Sequence, residues 1–118
     1  MKTSIHKRYT FESSHQLKWH PGKCQRLHGH SYKLHVWASG DLNENGIVMD
    51  FDDISTLVDD LVVKKYDHYH LNDFSEFDGN PTAERISQII LNTLHEADNR
   101  IFRVRVYETE KCYAESEC

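Results

Sequence analysis

The stretch Cys24-Gln25-Arg26-Leu27-His28-Gly29-His30 puts a thiol and two imidazoles within seven residues, and the chemistry this first suggests is that of a metal site. If the chain is extended from Leu27 onward, His28 and His30 project to one face, because strand side chains alternate. Gly29 between them adds no bulk. The same face continues as Tyr32, Leu34, Val36 and Ala38, with Lys33, His35, Trp37 and Ser39 opposite, so the two imidazoles point where the core points. Buried imidazoles without partners are costly to desolvate, and a divalent cation satisfies both nitrogens. The competing reading, two ordinary half-buried histidines in a strand, stands until a third ligand is found.

An upstream strand supplies one. Ile5, Tyr9 and Phe11 share odd parity, with His6, Arg8 and Thr10 opposite, and that parity carries through Ser13 to His15. Adjacent antiparallel strands would bring His15 beside His28 and His30. Three neutral imidazoles with no cysteine or carboxylate as a fourth ligand form an open site, the catalytic rather than the structural arrangement of zinc. Iron, cobalt and nickel also accept nitrogen ligands. An open position can bind two neighbouring oxygens of a substrate and polarise the carbon that bears them. Cys24 would lose its proton more readily beside a cation and act as a base; it reads equally as a small buried residue or an accidental thiol. In Asp67-His68 the carboxylate could fix the ring's tautomer and raise its basicity, and His70 competes for that role. His20, His35 and His95 read as surface or packing residues.

The elements that must position these groups follow from periodicity. After the strand through His15, residues 16–27 form a loop containing Pro21-Gly22 and Cys24, and a second strand runs from about His28 to Gly40. Asn45-Gly46 marks a turn, and Ile47-Val48-Met49 reads as a short strand. Phe51, Ile54, Leu57, Val58, Leu61 and Val62 follow the spacing of one helix face, ending near Lys64-Lys65, with Asp50, Asp52 and Asp53 as cap and dipole complement. The segment Tyr66 to Asp73 is too short and polar for a core element and suits a functional loop. Asn80-Pro81-Thr82 starts a second helix, capped by Asn80 or Thr82, with Ala83, Ile86, Ile89, Ile90 and Leu94 buried and Arg100 at its end. In the strand Ile101 to Thr109, Phe102, Val104 and Val106 share one face. Glu108 continues that parity, either at a solvated strand end or matched to a cationic or multi-donor ligand edge. Residues 111–116 return as an edge strand.

Composition bounds the rest. The chain has 118 residues and 38% hydrophobic residues, enough for one domain with one core. A mean hydropathy of -0.71 hints at burial between copies. A net charge of -5 argues against a nucleic-acid surface. Three cysteines, Cys24, Cys112 and Cys118, are an odd set that favours a reducing compartment. With no signal-peptide pattern at the N-terminus and no membrane-length apolar run, the expectation is a cytoplasmic protein.

Phe11 followed by His15, Cys24 followed by His28-Gly29-His30, Asp67-His68 before Leu71-Asn72, Asn80-Pro81-Thr82-Ala83-Glu84 and Val106-Tyr107-Glu108-Thr109 occur in the order found in the 6-pyruvoyl-tetrahydropterin synthase family. The chain resembles that family over nearly its whole length. Three residues between Cys24 and the His-Gly-His resemble its bacterial 6-carboxytetrahydropterin synthase branch, of queuosine biosynthesis, rather than the pyruvoyl-forming animal enzymes. The resemblance implies an α+β tunnelling fold, a four-stranded antiparallel sheet with two helices on one face, whose copies join into a barrel. It implies hexamers or tetramers with sites between subunits and the Asp67-His68 pair supplied by a neighbour. His15, His28 and His30 would hold one zinc ion per subunit, Cys24 would be the base, and His68 with Asp67 the proton relay. Glu108 would anchor the pterin, and Thr82, Ala83 and Glu84 would line its pocket. Tyr69-His70 departs from the family's order, so His70 receives no role by analogy. The implied reaction converts 7,8-dihydroneopterin triphosphate to 6-carboxy-5,6,7,8-tetrahydropterin, acetaldehyde and triphosphate, with Lys18, Lys23 and Arg26 as candidate triphosphate contacts on charge alone. The alternatives are 6-pyruvoyl-tetrahydropterin synthase or dihydroneopterin aldolase-like chemistry on the same fold, a metal-independent cysteine hydrolase using Cys24, His68 and Asp67, and a non-enzymatic zinc-binding module.

Overall fold

Alternation along two long segments makes β1 (Ser4–His15) and β2 (His28–Ser39). They pair antiparallel with Phe11 opposite Tyr32, Ser13 opposite His30 and His15 opposite His28. A computed structural model describes residues 1–118. On the even face of β2, Tyr32, Leu34, Val36 and Ala38 are fully buried, each large side chain contributing roughly 1.5–3 kcal/mol. A one-residue slip would turn all four to solvent. The hydrophobic pattern therefore fixes the register that places the histidines.

The helical run expected from Phe51 to Lys65 is one continuous rod: α1 (Phe51–Val58), a π-helical turn (Asp59–Val63) and α2 (Lys64–Tyr66). Asp50 caps it, its side chain accepting from the Asp52 N–H at 2.8 Å. The widened turn shifts the phase so that Val62 and Tyr66 are buried while Leu61 is only partly so. Next, α3 (Ala83–Ala97) is capped by Thr82, whose hydroxyl accepts from the Arg85 N–H at 3.1 Å. Ile54, Val58, Ile86, Ile90 and Leu94 join the buried residues of β2 in one core cluster, so both helices cover the same sheet face.

With β3 (Tyr69–His70), β4 (Ile101–Thr109) and β5 (Cys112–Glu117), the sheet order is β3-β1-β2-β4-β5. The expected four antiparallel strands are β1, β2, β4 and β5; the fifth is a two-residue strand parallel to β1. Three further expectations are corrected. Ile47-Val48-Met49 is not a strand: Val48 and Met49 are buried, but the Val48 carbonyl accepts from Arg100 at 3.1 Å instead of a ladder partner. In β4, Ile101 rather than Phe102 enters the core, because Ala38 pairs with Ile101 and Trp37 with Arg103, leaving Phe102 as the extra residue of a bulge. The 66–73 segment does contribute to the core, through Tyr66 and Leu71.

Candidate metal centre

Because β1 ends on His15 and β2 begins on His28, their pairing sets these rings side by side at the end of the sheet. The three ring centroids lie 4.5 Å (His15–His28), 5.1 Å (His15–His30) and 4.9 Å (His28–His30) apart. His15 is fully buried.

The backbone decides which nitrogens face inward. His15 Nδ1 lies 2.9 Å from the Pro81 carbonyl and His28 Nδ1 lies 2.8 Å from the Arg26 carbonyl. A carbonyl oxygen only accepts, so both Nδ1 atoms carry the proton and both Nε2 atoms present lone pairs. Those two Nε2 atoms are 2.8 Å apart. Two facing lone pairs repel unless a proton or cation lies between them. His30 Nε2 is buried and makes no hydrogen bond, although Glu108 Oε2 is 3.1 Å away, within ion-pair distance but not aligned as an acceptor.

Glu108 overturns one expectation. A site without a nearby carboxylate was expected, but Glu108 Oε2 also lies 3.3 Å from His15 Nε2, and all four candidate ligand atoms fall within 4.8 Å of one another. The cause is the pairing of β4 with β2, which sets Tyr107 opposite Lys33 and carries Glu108 onto the core side beside the rings. Burial pulls the His15 imidazole down to about 4 from 6.5, partly offset by the Pro81 carbonyl. Burial also lowers His30 and raises Glu108. Each group thus resists its charge for the same reason, and a divalent cation would reverse the preference of the carboxylate while using the neutral imidazoles. Three imidazole nitrogens are a donor set that fits zinc with one position left open, and Glu108 stands close enough to compete for that position.

Cys24 sits in the short 3-10 turn Lys23–Gln25, its thiol free and partly buried. It shares a cavity of about 490 Å³ with His28, His30 and Thr109. Asp67 and His68 do meet: His68 Nδ1 lies 2.8 Å from Asp67 Oδ2. The pair is pinned to β1, the Glu12 N–H donating to Asp67 Oδ1 at 2.7 Å and the His68 N–H to the Glu12 carbonyl at 2.5 Å. The first of these bonds, then the bond from His68, holds the Asp67 carboxyl below its ordinary range. His68 has φ 64°, a left-handed conformation that costs energy in a non-glycine residue and clusters at functional positions.

His68 opens onto a different cavity of about 610 Å³, shared with Ser14, His30 and His70. The two cavities have only His30 in common. Within one chain, Cys24 and His68 are therefore not assembled into the nucleophile–base arrangement that a metal-independent hydrolase would require. Thr82, Ala83 and Glu84 line neither cavity. Thr82 caps α3, Ala83 is buried, and Glu84 lies near enough to help raise Glu108. Lys18 is also outside both cavities, whereas Lys23 and Arg26 line the one holding Cys24.

The carbonyls of Pro81 and Arg26 were not foreseen from sequence, since main-chain oxygens carry no residue-type signal. Ser14, whose hydroxyl lies 2.9 Å from His70 Nδ1, was missed too; its only signal is its place between Ser13 and His15. No helix is long and apolar enough to cross a membrane.

The family model described as 6-pyruvoyl tetrahydropterin synthase matches residues 4–118. A Synechocystis sp. protein named 6-carboxy-5,6,7,8-tetrahydropterin synthase is 43% identical over 98 residues, covering 79% of this chain and 75% of that protein. A Haemophilus influenzae protein of the same name is 35% identical over 135 aligned positions, covering 94% of this chain and 96% of that protein. In fold, the chain superimposes on the structure of Caenorhabditis elegans 6-pyruvoyl tetrahydropterin synthase with a TM-score of 0.88 at 22% identity, over 100% of this chain and 96% of the other. A match that begins at β1 and runs to the last residue, together with two curated relatives above 30% identity, leads to one conclusion: the chain belongs to the 6-pyruvoyl tetrahydropterin synthase family.

Proposed function

We propose that this protein is a zinc-dependent 6-carboxy-5,6,7,8-tetrahydropterin synthase of queuosine biosynthesis. Its reaction would take 7,8-dihydroneopterin triphosphate and water to 6-carboxy-5,6,7,8-tetrahydropterin, acetaldehyde and triphosphate. The observation that carries the reading is the pair of opposed His15 and His28 Nε2 lone pairs, 2.8 Å apart, with His28 lining the cavity that holds Cys24. The names of the Synechocystis and Haemophilus relatives support the choice of product.

When bound, zinc supplies Lewis acidity to the side-chain oxygens of the substrate, making the adjacent carbon easier to deprotonate. The chain's own residues do the rest. His15, His28 and His30 hold the ion, with the Pro81 and Arg26 carbonyls fixing the orientation of two of the rings. Cys24 acts as the base that removes the proton from the side-chain carbon. Asp67 orients His68 to move a proton at the side-chain hydroxyl. Glu108 accepts from the amino-pyrimidine donors of the pterin, and Thr82, Ala83 and Glu84 support that end of the pocket through Pro81 and the start of α3.

A neighbouring copy supplies the Asp67-His68 pair in this reading. The support is that the His68 side chain is 78% exposed and faces a cavity other than that of Cys24. The assembly is a homo-oligomer, a hexamer or tetramer in which sheets join into a barrel, and three free cysteines suit the cytoplasm. Metal analysis with product identification on the purified protein tests the whole. Stoichiometric zinc, acetaldehyde and the carboxy-pterin are expected, and chelation abolishes turnover. A pyruvoyl product or glycolaldehyde would reassign the reaction within the family.

A further inference from the structure

The last pair in the register of β1 and β2 is His15 with His28, so the next residue, Gln16, has no ladder partner for its N–H or its carbonyl. One side chain takes both. The Gln16 N–H donates to Asn72 Oδ1 at 2.8 Å, and Asn72 Nδ2 donates to the Gln16 carbonyl at 2.8 Å. Only one orientation of the amide matches a donor to an acceptor at both ends, and the doubled bond copies the exchange within a hydrogen-bonded antiparallel pair. Asn72 thereby satisfies main-chain groups that the end of β1 leaves open, immediately beside a candidate metal ligand.

The side chain of Gln16 reaches the other way. Gln16 Nε2 donates to the Gln25 carbonyl at 3.0 Å, and the Leu17 N–H donates to the Cys24 carbonyl at 3.0 Å. Consecutive carbonyls of the Cys24 turn are therefore strapped to the residues that follow His15. The place of the thiol beside His28 and His30 is set by where this backbone is held. Asn72 itself stands in the 3-10 turn Leu71–Asp73, directly after β3, which docks against Ser13 and Ser14. A single amide thus joins the segment carrying His68 to the chain between a metal ligand and the thiol.

We propose that Gln16 and Asn72 are positioning residues of the site: Asn72 holds the end of β1 and with it His15, and Gln16 holds the Cys24 turn at the distance from the metal centre that proton removal needs. The strap rests on the reading of Cys24 as the base, but thiol access and metal geometry test it without turnover. In a Cys112→Ser/Cys118→Ser background Cys24 is the remaining thiol. The zinc-loaded protein is alkylated with iodoacetamide above the ordinary thiol range, where the rate reads access rather than ionisation, and the cobalt-substituted protein is followed by its visible absorption. Gln16→Ala should alkylate about 2–10-fold faster, the equivalent of one hydrogen bond, because the Leu17 bond to Cys24 survives and the loosening is partial. Its cobalt absorption should match the parent, since Asn72 grips backbone that the substitution leaves in place, and its kcat should fall with KM unchanged. Gln16→Glu, equal in shape but with an oxygen against the Gln25 carbonyl, should behave as Gln16→Ala; Gln16→Arg, which restores a donor, should recover part of the parent behaviour. Asn72→Ala should shift the cobalt absorption and lower metal affinity by about 10–100-fold, as for other groups that act behind a ligand. Should Asn72→Ala not fold, Asn72→Asp, which keeps the acceptor arm and loses the donor, carries the same test. Parent-like alkylation in both Gln16→Ala and Gln16→Glu overturns the strap, and a parent-like cobalt spectrum and affinity in the Asn72 variant overturn the hold on His15. Faster alkylation of Gln16→Ala in a protein whose turnover ignores Cys24→Ala would sustain the strap and remove Cys24 as the base instead.

Discussion

His15, His28 and His30 occupy the core side of β1 and β2, whereas His6 and His35 occupy the opposite side of the same two strands. The second group is almost as close-packed as the first: His6 Nε2 lies 3.0 Å from His35 Nδ1, with the Trp37 ring 4.5 Å from that of His6. Burial pulls His35 down to about 4, and His6, Arg105, Arg8 and Lys33 add to it. The clusters differ in what surrounds them. Around His15 and His28, main-chain carbonyls fix the tautomers and Glu108 is the near charge. Around His6 and His35, no carbonyl fixes a ring, each ring nitrogen in the contact can satisfy the other as donor and acceptor, and the near charges are guanidinium and ammonium groups. Proximity of imidazoles is thus a poor criterion for a metal site; locked tautomers and the sign of the nearby charge decide it.

That contrast is most directly broken by removing one ring from each cluster. His28→Ala should lower metal affinity by more than the ~10–100-fold typical of losing an outer-shell partner and abolish turnover. His35→Ala should leave metal content at the parent level. Retention of full zinc by His28→Ala, or its loss from His35→Ala, would exchange the roles of the two clusters. Cys24→Ala sharpens the comparison by separating holding from reacting: metal should stay stoichiometric while kcat falls by about 10²–10⁴-fold. Parent-like turnover would return Cys24 to packing.

Glu108 is the residue whose environment most separates the two faces, and its effect should be smaller. If it accepts from the pterin, Glu108→Ala raises KM by about 10–100-fold with zinc at full stoichiometry. Loss of zinc alongside would make it a fourth ligand instead, closing the open position the proposed chemistry needs. Metal content measured beside steady-state kinetics distinguishes the outcomes.

The parity of β1 and β2 makes the histidine triplet legible in the sequence, because a buried face leaves only one register available. Both long helices were legible for the same reason, with Asp50 one of three acidic candidates at the first start and Thr82 one of two cap candidates, beside Asn80, at the second. What escaped depended on interactions without a residue-type signature. Val48 is buried without a strand because Arg100 takes its carbonyl. Phe102 lost its place to Ile101 through a bulge that no alternation pattern announces. The Tyr69–His70 strand is two residues long, below any periodicity, yet it docks beside Ser13 and Ser14 and sets where His68 faces. Glu108 was legible as a carboxylate continuing an apolar parity, with a solvated strand end and a ligand edge both open, and its approach to His15 depends on the pairing of β4 with β2.

The gentlest way to separate the clusters is by pH. In the folded, metal-free protein His15 stays neutral down to about 4, while in the unfolded chain it titrates near its ordinary 6.5. Between those values the unfolded state binds more protons, so its contribution is fully present above about 6.5, declines as pH falls towards about 4, and is flat below. His35 acts in the same direction and over the same window. In the zinc-loaded protein the triplet must stay neutral to hold the ion, so acidification should destabilise the loaded form more steeply than the metal-free form. His35→Gln removes up to about one proton of uptake from both forms and so leaves their difference unchanged. Urea midpoints at pH 7, 6 and 5 for both forms measure this directly. Equal slopes with and without zinc would mean that the triplet does not exchange its protons for the ion, whatever its geometry.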